Sequence, residues 1–492
     1  MTETLLPTLA TPTRELSSST SKEAPLIAIS ITHGFQARNL LQTDVAPTLL
    51  ADGYRLHIIS PAADSPDFRE RFGDPRVSFG QAAARPTRLS TFFAQARRYA
   101  LANPRRNATY NLFNEEYLTS RKAQYVVLRL LNRVLGRSQT LRDGWMKLEG
   151  SLISGRRFDR MLRDVRPALL VTGTPGTDPL DALLLRSAKR LGIPTVCVVL
   201  SWDNLTSKGY MAARPDRLIV WNDRMRSEAI ELHDYSPRDV NVVGVAHFDV
   251  YQRPETHLDR GAVCARLGLD RARPYIVFGT VSPFLFRYNV EVAEVLARAV
   301  AESRILQCPQ IVVRVHPQAA GGGTYGESLE AYRTMAARYP GIVALDIPDV
   351  AMNDLQWSLP TDEMLWLASL LRHAGVCVNV ASTLAIDAAL ADTPVASVAF
   401  DGTETLPYRR SIRRAYDYTH YRPIVETGGA PVAETPEALF ALIDAYLRDR
   451  SLNADGRQRI AHEQAARLDG RSGVRVARAL VSAAAMLRHP IV

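Results

Sequence analysis

The stretch GVCVNVASTLAIDAALADTPVASVAF (375–400) decides the fold. GVCVNV (375–380) is a short run, mostly β-branched and apolar, that reads as a strand ending at about Val380. Ser382 and Thr383 follow, and hydroxyl residues at a helix start cap free backbone N–H groups. A helix therefore runs from Ser382–Thr383 with Asp387 one turn inside it, and Pro394 opens a second strand, TPVASVAF (393–400). The same alternation extends upstream. PYIVFGT (274–280), QIVVRVHP (310–317) and GIVALDI (341–347) read as strands, and NVEVAEVLARAVAES (289–303) as a helix between the first two.

An earlier copy of the pattern precedes it. PLIAISIT (25–32), YRLHIISP (54–61), ALLVTGT (168–174), IPTVCVVLS (193–201), DRLIVWN (216–222) and VNVVGVAHF (240–248) read as strands, with helices over 37–53 and 178–192. Strands alternating with helices of ten to fifteen residues argue for parallel sheets wound on both faces. Two such units in one chain predict an α/β protein of two Rossmann-like doubly wound domains facing a cleft. The expected division is a loose tail (1–24), a first unit (25–255) with a basic helical insertion (85–166), a second unit (256–450) and closing helices (451–492). At 492 residues the length allows roughly two to three domains.

Composition excludes several classes. With 46% hydrophobic and 23% charged residues the chain is globular, neither wholly disordered nor collagen-like. No run approaches the roughly 18 apolar residues of a membrane span. The Thr-, Ser- and Pro-rich start lacks a signal peptide's basic and apolar regions, which predicts a cytosolic, soluble protein. The four cysteines show no metal-ligand spacing, and Cys197 and Cys377 lie in apolar runs, as buried free thiols do.

Charge is uneven. From Arg85 to Arg166 there are 16 Arg and 2 Lys against 6 acids, a net +12, so with the whole chain at +9 the remainder sums to −3. Such a segment suggests one anionic partner surface. Within it RKAQYVVLRLLNRVLGR (121–137) reads as a helix with Arg129, Arg133 and Arg137 along one side and Val126, Val127, Leu130, Leu131 and Val134 as a broad apolar face. Two readings stand: a helix resting on an anionic membrane, peripheral to its inner face, or a core-facing helix with a solvated basic back. Nucleic acid is not expected, because no recognised binding module accompanies the charge.

Several polar groups fall at the carboxyl ends of these strands, where open α/β sheets bind ligands. FGTVSP (278–283) offers Gly279, Thr280 and Ser282 for close approach to phosphate. VRVHPQ places His316 at a strand mouth, with Arg314 on the same face if the alternation persists. Ser382 and Thr383 mark a helix start suited to an anion, with Asp387 within reach of ribose hydroxyls; the other reading is a plain capped helix. In the first unit His33 lies in the turn after the first strand, and Arg38 and Asn39 could hold an acceptor anion. SWDNLTSKGY (201–210) places Trp202, Asp203 and Asn204 at a strand's end, an aromatic platform beside a carboxylate and an amide, with Lys208 for a phosphate. The same run also reads as an ordered interdomain loop.

The second unit resembles the donor domain of GT-B glycosyltransferases and of CDP-glycerol glycerophosphotransferases, over roughly 270–485. The matching features are the Gly279–Thr280 turn, His316–Pro317, the Ser382–Thr383 start with Asp387 and Pro394, and LDGRSGVRVARAL (468–480), an Asp-Gly-Lys/Arg-x-x-x-Arg pattern. The resemblance implies a transferase with no cofactor and no metal, whose nucleotide-sugar donor sets its diphosphate at Ser382–Thr383, its ribose near Asp387 and its phosphates close to His316. It also makes His33 the first choice of general base, facing a hydroxyl acceptor that is lipid-linked or polymeric. Apart from the resemblance, Asp203 is the second candidate catalytic group, and loop position alone suggests Asp178 as the carboxylate orienting His33. A CDP-glycerol-type transferase, a non-catalytic binding protein on the same shell and a sugar-nucleotide epimerase are the alternatives.

Overall fold

The computed structural model describes residues 24–102, 107–112, 122–174, 177–320, 328–350, 355 and 358–488. The expected tail (1–24) lies almost wholly outside them, as do Arg121, Glu115 and Glu116 of the basic segment and Pro175–Gly176.

Among the described residues thirteen strands form two parallel sheets. The first holds β1 (Leu26–Ser30), β2 (Arg55–Ser60), β3 (Val77–Gln81), β4 (Leu169–Thr172), β5 (Thr195–Val198), β6 (Arg217–Val220) and β7 (Val240–Val242), in the order β3-β2-β1-β4-β5-β6-β7. The second holds β8 (Tyr275–Gly279), β9 (Gln310–Arg314), β10 (Val343–Asp346), β11 (Val376–Asn379), β12 (Val395–Val398) and β13 (Val432–Ala433), in the order β10-β9-β8-β11-β12-β13. Every named strand pair is parallel; Ile276 pairs with Val376 and Ile311, for example. The order reverses between β1 and β4 and again between β8 and β11, so each sheet has one switch point where neighbouring loops part. These are two Rossmann-like domains facing a cleft.

The central strands are apolar on both faces because helices cover both: Ile27, Ala28 and Ile29 are fully buried, as are Ile311, Val312 and Val313. Two expectations change. The helix expected over 37–53 is two, Gly34–Leu40 and Val45–Ala51. The run 240–248 is a strand only to Val242; Gly244, at φ +92° with Ser472 packed against it, ends the strand, and Ala246–Gln252 coils as a 3-10 helix. The closing segment is two helices, Ala454–Ala465 and Ser472–Arg488, and the second returns to the first sheet. Its Val476, Ala477 and Leu480 share a core with Ile27, Ile29 and Leu49. Asp249 accepts from the backbone N–H groups of Ser472 (3.0 Å) and Gly473 (2.8 Å), fixing that helix start to the crossover between the domains. The Asp-Gly-Arg-x-x-x-Arg pattern serves the same end, with Arg475 donating to Asp469 (2.6 Å) and to the Val243 carbonyl (2.8 Å).

Candidate functional site

A cleft of about 350 Å³ lies between the sheets, bounded by loops at the carboxyl ends of both. Gly279, at the end of β8, forms its floor. A Cβ there would meet Leu384 Cδ2 at 1.9 Å, so the glycine admits the Leu384–Leu390 helix against the strand. Thr280 follows, and its hydroxyl accepts from the His316 N–H (2.8 Å), which joins the loops after β8 and β9.

His316 lines the cleft as a neutral ring. Burial, with Arg314 beside it, pushes its pKa down to about 4. Its Nδ1 accepts from the Gln318 N–H (3.2 Å), which leaves the ring proton on Nε2 as a donor. Arg314 is committed elsewhere: it donates to Asp346 (2.8 Å) and to Glu363, deep in the second unit. Its charge orders the loop more than it offers an anion site.

On the third loop Ala381 adopts the left-handed conformation (φ +42°) and turns the chain from β11 into the helix. The Ser382 hydroxyl donates to Asn379 Oδ1 (2.6 Å), while Asn379 Nδ2 donates to the Tyr421 hydroxyl (2.7 Å). Thr383 sits at the N-cap position with no side-chain cap bond, and its side chain lines the cleft. Asp387 accepts from the Tyr251 hydroxyl (2.8 Å). Burial raises its pKa to about 6, against the opposing pull of Tyr251 and of Arg38. Arg38 comes from the first unit, stacks over Phe35 at 5.3 Å and places a cation beside Asp387.

Sequence reasoning missed two further groups, His247 in the cleft wall and Tyr251, which bonds Asp387. His247 lines the cleft, packs edge-on to Trp221 (5.7 Å), and has its Nδ1 buried with no hydrogen-bond partner among the described residues. Burial, then the nearby Arg38, pull its pKa well below the ordinary value, so it is neutral. Tyr251 holds Asp387 from the same crossover. His247 was hidden by reading 240–248 as continuous strand; the Gly244 that breaks it was the available signal.

Other candidates lie away from the cleft. His33 occupies the N-cap position of the Gly34–Leu40 helix, its ring 6.2 Å from that of Phe35, and burial lowers its pKa to about 4. It is not among the cleft-lining side chains. The Asp178 carboxylate caps the next helix, accepting from the Leu180 N–H (2.8 Å). Asn39 donates to the Leu200 carbonyl (3.2 Å) under the cleft wall, and Ser282 bonds Gln318 beyond its edge.

The SWDN run is a joint, not a platform. Trp202 is 6% exposed, packed edge-on against His420 (5.2 Å) and Tyr421 (5.6 Å) of the second unit. Asp203 accepts from the hydroxyls of Ser201 (2.7 Å) and Ser207 (2.6 Å) and pairs with Lys208 (3.2 Å). Burial alone would raise its pKa, but Lys208, His420 and the two hydroxyls hold the carboxyl well below the usual range. A carboxylate so held does not carry protons at neutral pH, and Lys208 is the partner that holds it. Asn204, also buried, accepts from the Ser201 N–H (3.3 Å). Thr206 bonds His420 Nδ1 (2.9 Å), which completes the interdomain contact.

No protein-family model matches the sequence, and no curated protein matches it. Solved structures do match. A putative UDP-N-acetylglucosamine 2-epimerase from Listeria monocytogenes superposes with a TM-score of 0.54 at 11% identity, covering 93% of this chain and 96% of that one. Methanocaldococcus jannaschii UDP-GlcNAc 2-epimerase, in complex with UDP-GlcNAc and UDP, gives 0.52 at 12% identity, over 93% and 99%. Staphylococcus aureus MnaA with UDP gives 0.53 at 10% identity, over 92% and 94%. The fold is GT-B. In GT-B terms the cleft lies between the two Rossmann-like domains, and of the sequence candidates Arg38, Gly279, Thr280, Arg314, His316, Ser382, Thr383 and Asp387 line it.

Proposed function

We propose that this GT-B protein is a glycosyltransferase that takes a nucleoside diphosphate sugar as donor and a hydroxyl as acceptor. One observation carries the reading: a cation from the first domain, Arg38, faces a neutral imidazole donor, His316, and the Thr383 side chain of the second, across a cleft of ligand size. A diphosphate set there meets Arg38, the His316 Nε2–H and the loop of Ser382–Thr383, groups suited to the negative charge that grows on the departing phosphate. His247 is the imidazole placed to accept the acceptor's proton as its oxygen attacks the anomeric carbon and the bond to phosphate breaks. Its place in the cleft lining supports His247 over His33 for that role. The joint of Trp202 with His420 and Tyr421 supports domain closure, which limits water attack on the donor.

A second reading, epimerisation of a sugar nucleotide, is favoured by the likeness to UDP-GlcNAc 2-epimerases. Product analysis with a panel of UDP-, GDP- and CDP-linked donors, CDP-glycerol included, separates the readings. Transfer releases nucleotide in proportion to acceptor supplied; epimerisation yields a new sugar nucleotide with no acceptor present. A thermal shift with none of the nucleotides would defeat both, since a ligand bound only by the folded state raises its melting temperature.

A further inference from the structure

Two helices of the basic segment carry their apolar side outward. In the helix Lys122–Leu135 the buried group is polar: Asn132 donates to the carbonyls of Ala100 (3.0 Å) and Ala102 (2.6 Å). Val126, Val127, Leu130, Leu131 and Val134, on the other side, are each 43–59% exposed. The next helix, Gln139–Leu152, repeats the inversion. Its inward face carries Arg142, which donates twice to Asp234 (2.8 Å each), and Glu149, which accepts from Arg186 (2.7 Å) and from Arg97. Its outward stripe is Leu141, Leu148 and Leu152, with Phe92 of a neighbouring helix packed near Trp145 at 6.3 Å and itself 55% exposed. An ordinary surface helix does the reverse, burying its apolar stripe and solvating its charges. Among the described residues nothing covers this face.

We infer that this face docks on an anionic lipid surface. Its chemistry selects that occupant over others. Arg133 is exposed beside the apolar stripe and Arg137 just past its end, and the long stems of arginine let a cation reach headgroups while the stripe enters the acyl boundary. Across the two helices Lys122, Arg133, Arg137 and Lys147 are exposed, while of their acids Glu149 is buried in ion pairs and Asp143 is half-buried, so the exposed charge is mainly cationic. A second copy of the chain is disfavoured by the same charge, because a symmetric dimer would oppose one basic segment to another. The turn Arg97–Leu101, which supports both helices, accepts at the Arg97 carbonyl from the Tyr210 N–H (3.2 Å). That loop begins at Leu200–Ser201 in the cleft wall, so docking surface and cleft share one loop.

The test is independent of the reaction, since it needs neither donor nor acceptor. The full chain is floated with vesicles of phosphatidylcholine alone and of phosphatidylcholine with an equal part of phosphatidylglycerol, while light scattering reports its oligomeric state. Binding to the anionic vesicles is expected to exceed binding to the neutral ones at least about tenfold, a preference that a few surface arginines supply. At about 1 M salt, where the Debye length is about 3 Å, most of the preference is lost. Leu130→Glu with Val134→Glu removes binding to both vesicles; Arg133→Gln with Arg137→Gln removes only the anionic preference. All four positions are exposed, so both variants keep the wild-type melting temperature. Equal binding to the two vesicles, or binding that survives Leu130→Glu with Val134→Glu, overturns the inference. So does self-association that this variant abolishes, without vesicle binding.

Discussion

At the scale of single residues, burial decides which titratable groups act. His33, His247 and His316 are all neutral at pH 7, so protonation state does not separate them; position in the cleft does. His247→Ala is expected to lower kcat by about 10²-fold, the low end for a general base, because an imidazole held well below neutral draws a proton weakly. His33→Ala should change kcat by much less, and the reverse order in steady-state kinetics would return the base to His33. A second prediction concerns Asp181, wholly buried beside the first switch point, whose Oδ2 accepts from Gln36 Nε2 (3.2 Å) and from the Thr174 N–H (3.0 Å) and hydroxyl (2.7 Å). Burial, with Asp178 nearby, raises its pKa from 3.8 to about 7. The folded state then binds this proton more tightly than the unfolded state. Its contribution to stability is full below pH 3.8 and is lost as pH rises through about 7. Asp181→Asn keeps an acceptor oxygen for the three donors and has no charge to bury. Its melting temperature relative to wild type should therefore be higher at pH 8 than at pH 5; a difference independent of pH would show that Asp181 stays ionised in the fold.

At the scale of elements, the sequence was legible wherever a strand is buried on both faces. Runs such as IVVRV around β9 have one interpretation, since only covered parallel strands carry apolar residues at successive positions. Hence the strand alternation and the loops holding Thr280, His316 and Thr383 followed from pattern. The edge strands β3 and β13 did not, being short or half-exposed. The apolar face of Lys122–Leu135 was legible but its direction was not, because periodicity marks which residues share a face and not which way that face points. Trp202 and Asp203 misled for a related reason: an aromatic beside a carboxylate suits a sugar and an interdomain joint alike, and only the partners His420 and Tyr421 decide. Gly279 shows the same ambiguity resolved by packing. Gly279→Ala sets a methyl against Leu384 and should cost about 1–3 kcal/mol, typical of overpacking. Adding Leu384→Ala should recover part of that loss in chemical denaturation. If the double variant is less stable than the additive sum of the two single variants, the contact is not the cause.

At the scale of the molecule, the two domains are not separable at the crossover. The chain leaves the first sheet after β7, builds the second domain, then returns through Ser472–Arg488, whose Val476, Ala477, Leu480, Ala483 and Ala484 complete the core of Ile27, Ile29, Val45 and Leu49. Arg253 ties this return to both sides, bonding Asp44 and the Gly470 carbonyl. Removing that helix uncovers a contiguous apolar strip, and each large aliphatic side chain so exposed forfeits about 1.5–3 kcal/mol of burial. Several such residues together match the whole stability of an ordinary domain, about 5–15 kcal/mol. A fragment of residues 24–255 is therefore expected to be unfolded or aggregated. The same fragment joined through a flexible linker to residues 466–488 should show a cooperative thermal transition. The decisive measurement is calorimetry on the two fragments under one condition. A cooperative transition in the shorter fragment would show that the first domain closes its core alone, and that the returning helix serves only to hold the domains together.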